Sequence, residues 1–247
     1  MASGRASKLQ ALLEAARSPT TSEEARRADE AVFKALLDAT VYAHVPAGRT
    51  PPGRIRFIQF IRPDNKQTVL PFFSDREQAE VASAGKVGIV AMSGRRLFEL
   101  TEGATLMLNP NLDRVALYPP EVKALLAGQP LGFFAHQVLQ EGEPAGMCPP
   151  TVSTDALVLA LRALFKQEPA VRGGYLVEVH PEAEGAQVFL LMVLIVVPGN
   201  EERLLHVTTL EMNSISPLPE LPINLACVAP DAPILEVCRH GIQFYGT

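Results

Sequence analysis

The run "VFLLMVLIVV", Val188 to Val197, constrains this chain more than any other segment. It is about half of the roughly 20 apolar residues that a helix needs to cross a bilayer. It is rich in β-branched residues and has no polar position to mark a solvent face, so it predicts a strand buried on both sides. Such a strand needs neighbours in a sheet and a layer of chain over each face.

The surrounding sequence supplies them. Val171–Val179 and Gln187–Val197 read as the two arms of a hairpin, and Ile223–Val228 as a further strand. Helical periodicity covers Ser153–Lys166, with Ser153 as N-cap, and Glu201–Met212. Asp231 caps a helix that runs to about His240, and His136–Glu141 reads as one more strand.

The first half follows the same logic. A capping box at Thr21 and Glu24 opens a helix over Thr21–Asp38, and a second at Ser74 and Glu77 opens one that ends near Ala84. Strands are predicted at Val41–Val45, Arg54–Arg62, Thr68–Phe73, Lys86–Ala91, Thr105–Asn109 and Arg114–Leu117. A helical turn or two covers Arg95–Thr101. Pro119-Pro120-Glu121 begins a helix that ends near Gly128, the expected placing of proline at the start and glycine past the end. Helices and strands mix in both halves. The expectation is an α+β fold of two mixed α/β domains, each a small, mainly antiparallel sheet flanked by helices. A helical extension, 1–39, precedes domains at 40–129 and 130–247, joined near Gly128-Gln129-Pro130.

Charge divides the chain at the same place. Residues 40–130 carry a formal +3 and residues 131–247 a formal −8, within a net −5. Two electrostatically different halves suit either mutual attraction or a charged partner. Cys148, Cys227 and Cys238 are odd in number and widely spaced, which suits a reducing compartment and supports no Cys-x-x-Cys metal or redox motif. The N-terminal "MASGRASKLQALLEAARS" lacks the apolar core of a secretory signal. These features together point to the cytoplasm.

Catalytic patterns are missing from the sequence. It contains no Gly-x-Ser-x-Gly elbow, and His44, His136, His180, His206 and His240 are scattered. Cys238 and His240 share a helix but sit at a spacing that does not make them face each other. No phosphate loop or calcium loop is present. The reading is a non-enzymatic protein with no cofactor and no metal.

Two candidate surfaces remain. On the predicted strand Arg54–Arg62, period-two alternation places Ile55, Phe57 and Ile61 toward the core. It leaves Arg54, Arg56 and Arg62, with Lys66 in the following turn, to face solvent or an acidic partner. The overall acidity and the lack of an aromatic RNA-binding motif argue against nucleic acid. The second surface is an anion-binding group of Ser93, Arg95, Arg96 and Asn109, with "SGRR" presenting backbone N–H groups and guanidinium groups. A plain helix start stands as the alternative there.

Three stretches in order, "LPFFSDREQAE" (Leu70–Glu80), "SGRRLFELTEGATLMLNP" (Ser93–Pro110) and "ALYPPEVKALLAG" (Ala116–Gly128), resemble the N-terminal domain of the SseB, or enhanced serine sensitivity, family. Ser74 stands where a threonine is usual, and Asn111 where a glycine commonly follows Asn-Pro. "GGYLVEV" (Gly173–Val179) and the terminal "GIQFYGT" resemble the family's C-terminal domain. The resemblance implies a bacterial, cytoplasmic, two-domain α+β protein without known catalytic residues. Related domains resemble parts of secretion-associated or toxin-immunity loci, which implies a protein partner. The family name offers an alternative, a sensor or enzyme for an amino acid or another small anion.

Overall fold

The computed structural model describes residues 8–18, 22–48, 54–132, 145–182, 185–233, 235 and 238–246, and the chain divides into two units, Met1–Phe133 and Phe134–Thr247. The predicted strand at His136–Glu141 lies outside the described residues. Each unit is built on one mixed sheet with a single parallel pair among its described strands. This is the α+β architecture expected from the sequence.

The first unit opens with α1 (Lys8–Ala16) and α2 (Ser22–Leu36), and then alternates β1 (Thr40–Val45), β2 (Phe60–Ile61), β3 (Thr68–Phe73), α3 (Arg76–Ser83), β4 (Gly88–Ser93), α4 (Gly94–Leu100), β5 (Leu106–Leu108), β6 (Val115–Leu117) and α5 (Pro119–Leu126). The sheet order is β4-β1-β3-β5-β6, with β2 also pairing β3. The two N-terminal helices belong to this unit, burying Leu9, Leu13, Val32 and Leu36.

Pro71 lies in the middle of β3 and is buried, a position that would normally cost a ladder hydrogen bond. Here it costs none. On one side, β3 pairs with β2 at Thr68 and Val69 and with β1 at Phe72 and Phe73. The Leu70 N–H points the other way, to Thr105 O at 2.9 Å. Because successive strand residues direct their N–H groups to opposite sides, proline occupies the point where β3 changes partner.

The helix starts correct the sequence reading in two places. Asp75, not Ser74, caps α3, with its carboxylate accepting from the Gln78 N–H at 2.8 Å. Thr154 occupies the N-cap position of α6 where Ser153 was expected.

The second unit contains β7 (Ala145–Cys148), α6 (Asp155–Phe165), β8 (Val171–Pro181), β9 (Phe189–Val196), α7 (Glu201–Met212), β10 (Ile223–Val228) and β11 (Ile242–Tyr245). β9 is the apolar run, flanked by β8 antiparallel and β10 parallel. Leu190 to Leu194 are at most 2% exposed, as a doubly covered strand demands. One face packs Leu176, Leu190, Met192 and Leu194 on Leu157, Leu161 and Phe165 of α6 and Leu204 of α7. The other packs Val177, Val179, Leu191 and Val193 around Cys238.

β8 is long enough to take two strands along its second edge. β11 pairs with it at Gly174–Leu176, and β7 at Glu178–Pro181. The Arg162 side chain donates to Phe244 O at 2.6 Å and the Tyr245 hydroxyl to Phe165 O at 2.8 Å, which fastens β11 to α6. Among the described residues, no helix is long and apolar enough to cross a membrane.

Candidate functional site

The partner change at Pro71 leaves a gap beside β3, and a groove of about 540 Å³ opens there. His44 of β1 and Phe60 of β2 line it from either side of the gap. Pro71, Phe73 and Met107 form its sheet surface, and Ala82 of α3 contributes one wall. Arg62, Asp64, Asn111 and Arg114 supply its polar groups. A volume of this size with an apolar floor and a few charged groups suits a small molecule or an inserted side chain.

Arg62 and Asp64 place each other. The Arg62 guanidinium donates to both carboxylate oxygens of Asp64, Nε to Oδ1 at 3.0 Å and Nη2 to Oδ2 at 2.6 Å, a two-pronged geometry. That pairing lowers the Asp64 carboxyl to about 2. Lys66 takes a positive φ in the same turn, and its ammonium donates to Pro63 O at 2.8 Å. Arg114 also has a positive φ and is exposed at the groove.

The facing predicted for Arg54–Arg62 is overturned. Ile55 and Ile61 are 47% and 65% exposed, whereas Arg62 is 9% exposed. Only Phe60–Ile61 joins the ladder, and Phe60 opposes the buried Val69. Phe60 then packs on Val69, Met107, Ala116 and Tyr118. The alternation was ambiguous because each face carries apolar residues. Gln59 falls on the face of Ile55 and Ile61, and Ile58 and Phe60 on that of the arginines. The residues next to β3 decide the register, and Arg62 turns inward with Phe60. Arg54 and Arg56 are exposed, as expected, and so is Lys66.

The group Ser93, Arg95, Arg96 and Asn109 is not assembled as an anion site. The backbone N–H of Gly94 donates to Ala39 O at 3.0 Å, that of Arg95 to Leu37 O at 2.8 Å, and that of Arg96 to Ser93 Oγ at 3.3 Å. The N–H groups of Gly94, Arg95 and Arg96 are thus taken by the chain. Ser93 is the cap of α4, and Arg96 lies 3.7 Å from Glu99. Asn109 is fully buried and its side chain is committed to Ser74 and Asp113.

A second cluster, in the other unit, was not visible in the sequence. Cys148 of β7 stands opposite Glu178 of β8, and His180 follows two residues on, on the same face. His180 Nε2 is 2.8 Å from Glu178 Oε1 and 3.7 Å from Cys148 Sγ. Glu178 is 3% exposed, and its Oε2 accepts from both the N–H and the hydroxyl of Thr151, each at 2.7 Å. Those two bonds lead the causes that hold the Glu178 carboxyl below its usual range, against the opposing effect of burial. The sequence signal was Glu178-x-His180 on one strand. Cys148 joins it only through a strand register that sequence does not supply.

The cluster is not a nucleophilic triad. There, nucleophile and orienting carboxylate bond opposite nitrogens of the histidine ring, whereas here thiol and carboxylate converge on the same one. Burial pushes the Cys227 thiol up to about 12 and the Cys238 thiol up to about 11, which removes both as nucleophiles near neutral pH.

Residues 9–124 match the SseB protein N-terminal domain. Protein SseB of Escherichia coli (strain K12) is 28% identical over 184 residues, covering 72% of this chain and 70% of the relative. Protein SseB of Shigella flexneri matches with the same identity and coverage. These alignments are longer than the first unit and so reach into the second. No solved structure matches.

Proposed function

Because the chain belongs to the SseB family, we propose that it is a non-enzymatic, cytoplasmic protein-binding module, and that its first unit docks an acidic segment carrying an apolar side chain. The secretion or toxin setting implied by the family resemblance supplies the class of partner, an accessory or cognate protein. The observation that carries the reading is the groove beside Pro71. An apolar floor of Phe60, Phe73 and Met107 adjoins Arg114, and the adjoining segment exposes Arg54, Arg56 and Lys66 beside Ile55 and Ile61. Apolar groups among basic ones suit a docking surface that takes an apolar anchor and is steered by charge.

The test is site-specific crosslinking. A photoreactive residue at Asn111, in the groove, should capture a specific partner in the source cell. One at Leu159, exposed on α6, should not. Adding Arg56→Glu and Arg114→Glu should reduce capture, most at low salt, while the fold is retained. Equal capture from both positions would sink the docking surface.

The size of the groove also supports a second reading, a sensor of an amino acid or another small carboxylate held at Arg114. A thermal-shift series separates the two. Stabilisation by a free carboxylate that Arg114→Glu abolishes favours the sensor, and no shift with any carboxylate favours the docking module.

A further inference from the structure

We propose that Cys148, Glu178 and His180 form a three-ligand site for a zinc-class divalent ion on the second unit. The three side chains offer one sulfur, one nitrogen and one oxygen, all within 4.8 Å of one another. That donor set selects a borderline-soft ion and disfavours magnesium and calcium, which take oxygen ligands.

The sulfur–nitrogen separation fits such an ion, and the nitrogen–oxygen one needs a small adjustment. Tetrahedral bonds of about 2.3 Å to sulfur and about 2.0–2.1 Å to nitrogen put those two ligands roughly 3.6 Å apart. Cys148 Sγ and His180 Nε2 are 3.7 Å apart. Glu178 Oε1, 2.8 Å from the same nitrogen, needs to open by roughly half an ångström to reach the separation such bond lengths imply. The His180 side chain is 48% exposed, which leaves it room for that adjustment.

Two further features favour a cation over a plain ion pair. First, thiol and carboxylate converge on one ring nitrogen, which carries a single proton or a single lone pair. One proton serves only one of them, whereas a cation seated among the three serves all. Second, the carboxylate is already oriented. Thr151 holds Oε2 with its N–H and its hydroxyl, which leaves Oε1 directed at the histidine. Supporting bonds of this type fix a metal-ligating carboxylate before the ion arrives.

The site occupies the end of the β7–β8 ladder, where the chain enters the loop before α6. Three protein ligands leave a fourth position for water. The groove of the first unit plays no part in it, so the docking proposal and this one stand or fall separately.

Cobalt(II) is the probe, added to the full chain in the reduced state. One equivalent should bind and give a thiolate-to-cobalt charge-transfer band in the near ultraviolet. Cys148→Ser should abolish the band, and Cys227→Ala should leave it. His180→Ala should weaken binding at least tenfold, and Thr151→Val, which removes only the supporting hydroxyl, by roughly 10-fold. Glu178 is buried, and its replacement risks the fold. The exposed His180 and half-buried Cys148 therefore decide the result, with circular dichroism confirming that their variants fold. The proposal is overturned if the wild-type chain gives no band, if the band survives Cys148→Ser, or if His180→Ala binds as tightly as wild type.

Discussion

Asn109 grips Ser74 with both ends of its amide. Its Oδ1 accepts the Ser74 N–H at 2.9 Å and its Nδ2 donates to Ser74 Oγ at 3.0 Å. The two residues lie at the ends of the parallel strands β5 and β3, so the amide closes that pair where the ladder stops. Asn109 also has a positive φ, a conformation asparagine tolerates better than most residues. Its own carbonyl accepts from Leu112, Asp113 and Arg114 N–H. Asn109→Ala is expected to destabilise the first unit by about 3 kcal/mol, from an unsatisfied buried N–H and left-handed strain. Asn109→Gly relieves the strain but not the lost bonds and should cost about 1 kcal/mol less. Urea unfolding of both variants checks this, and equal losses would show that the backbone conformation contributes nothing.

Arg62 and Asp64 give a pH signature. The Asp64 carboxyl lies at about 2 in the folded chain, below its ordinary value of 3.8. A depressed folded value means that its stabilising effect is present above the unfolded value and is lost as pH falls through the folded one. The loss should therefore run from just above pH 4 down to about 2. Carbon-detected NMR titration of Asp64 should report the low midpoint. Asp64→Asn should flatten that part of the acid-stability curve, and an ordinary carboxylate midpoint would refute the pairing.

Gly94 starts α4 directly against the end of α2. A Cβ there would lie 2.0 Å from Leu36 O, a backbone atom that cannot swing aside. Gly94→Ala is expected to destabilise by about 3 kcal/mol or more, the upper end of ordinary overpacking. A thermal melt decides it. A variant as stable as wild type would mean that the α2–α4 junction is looser than described.

Phe60 and Ile61 test the corrected register. Ile61→Ser should alter stability by no more than about 0.5 kcal/mol, as at other exposed positions. Phe60→Ala should cost about 2 kcal/mol, less than the 3–5 kcal/mol of a fully buried aromatic. The reverse order in denaturant unfolding would restore the facing read from the sequence.

The contrast between β9 and β2 shows what the sequence could and could not carry. β9 was legible because ten apolar residues admit one environment, and its neighbours followed from their own periodicity. β2 was not, because residues 54–62 have apolar side chains on both parities and only two of them join a ladder. The α3 start is ambiguous in the sequence because Ser74 and Asp75 both suit a cap. A contact with Asn109, distant in sequence, decides between them. The same limit hid both sites. The groove depends on where β3 changes partner, and the Cys148 cluster on a register between β7 and β8, neither of which local pattern encodes.

The two edges of β8 have a consequence for the nascent chain on the ribosome. All described strands of the first unit are made by Leu117, so that sheet can close while translation continues. The second sheet cannot. β8 is synthesised early in its unit, yet Gly174–Leu176 wait for Ile242–Tyr245 to cover them. At roughly 5–20 residues per second that wait lasts several seconds, during which a stretch of open backbone is available to other strands. A ribosome stalled between β10 and β11 would therefore hold a finished first unit beside a second one that is prone to pair with its neighbours on the same messenger RNA.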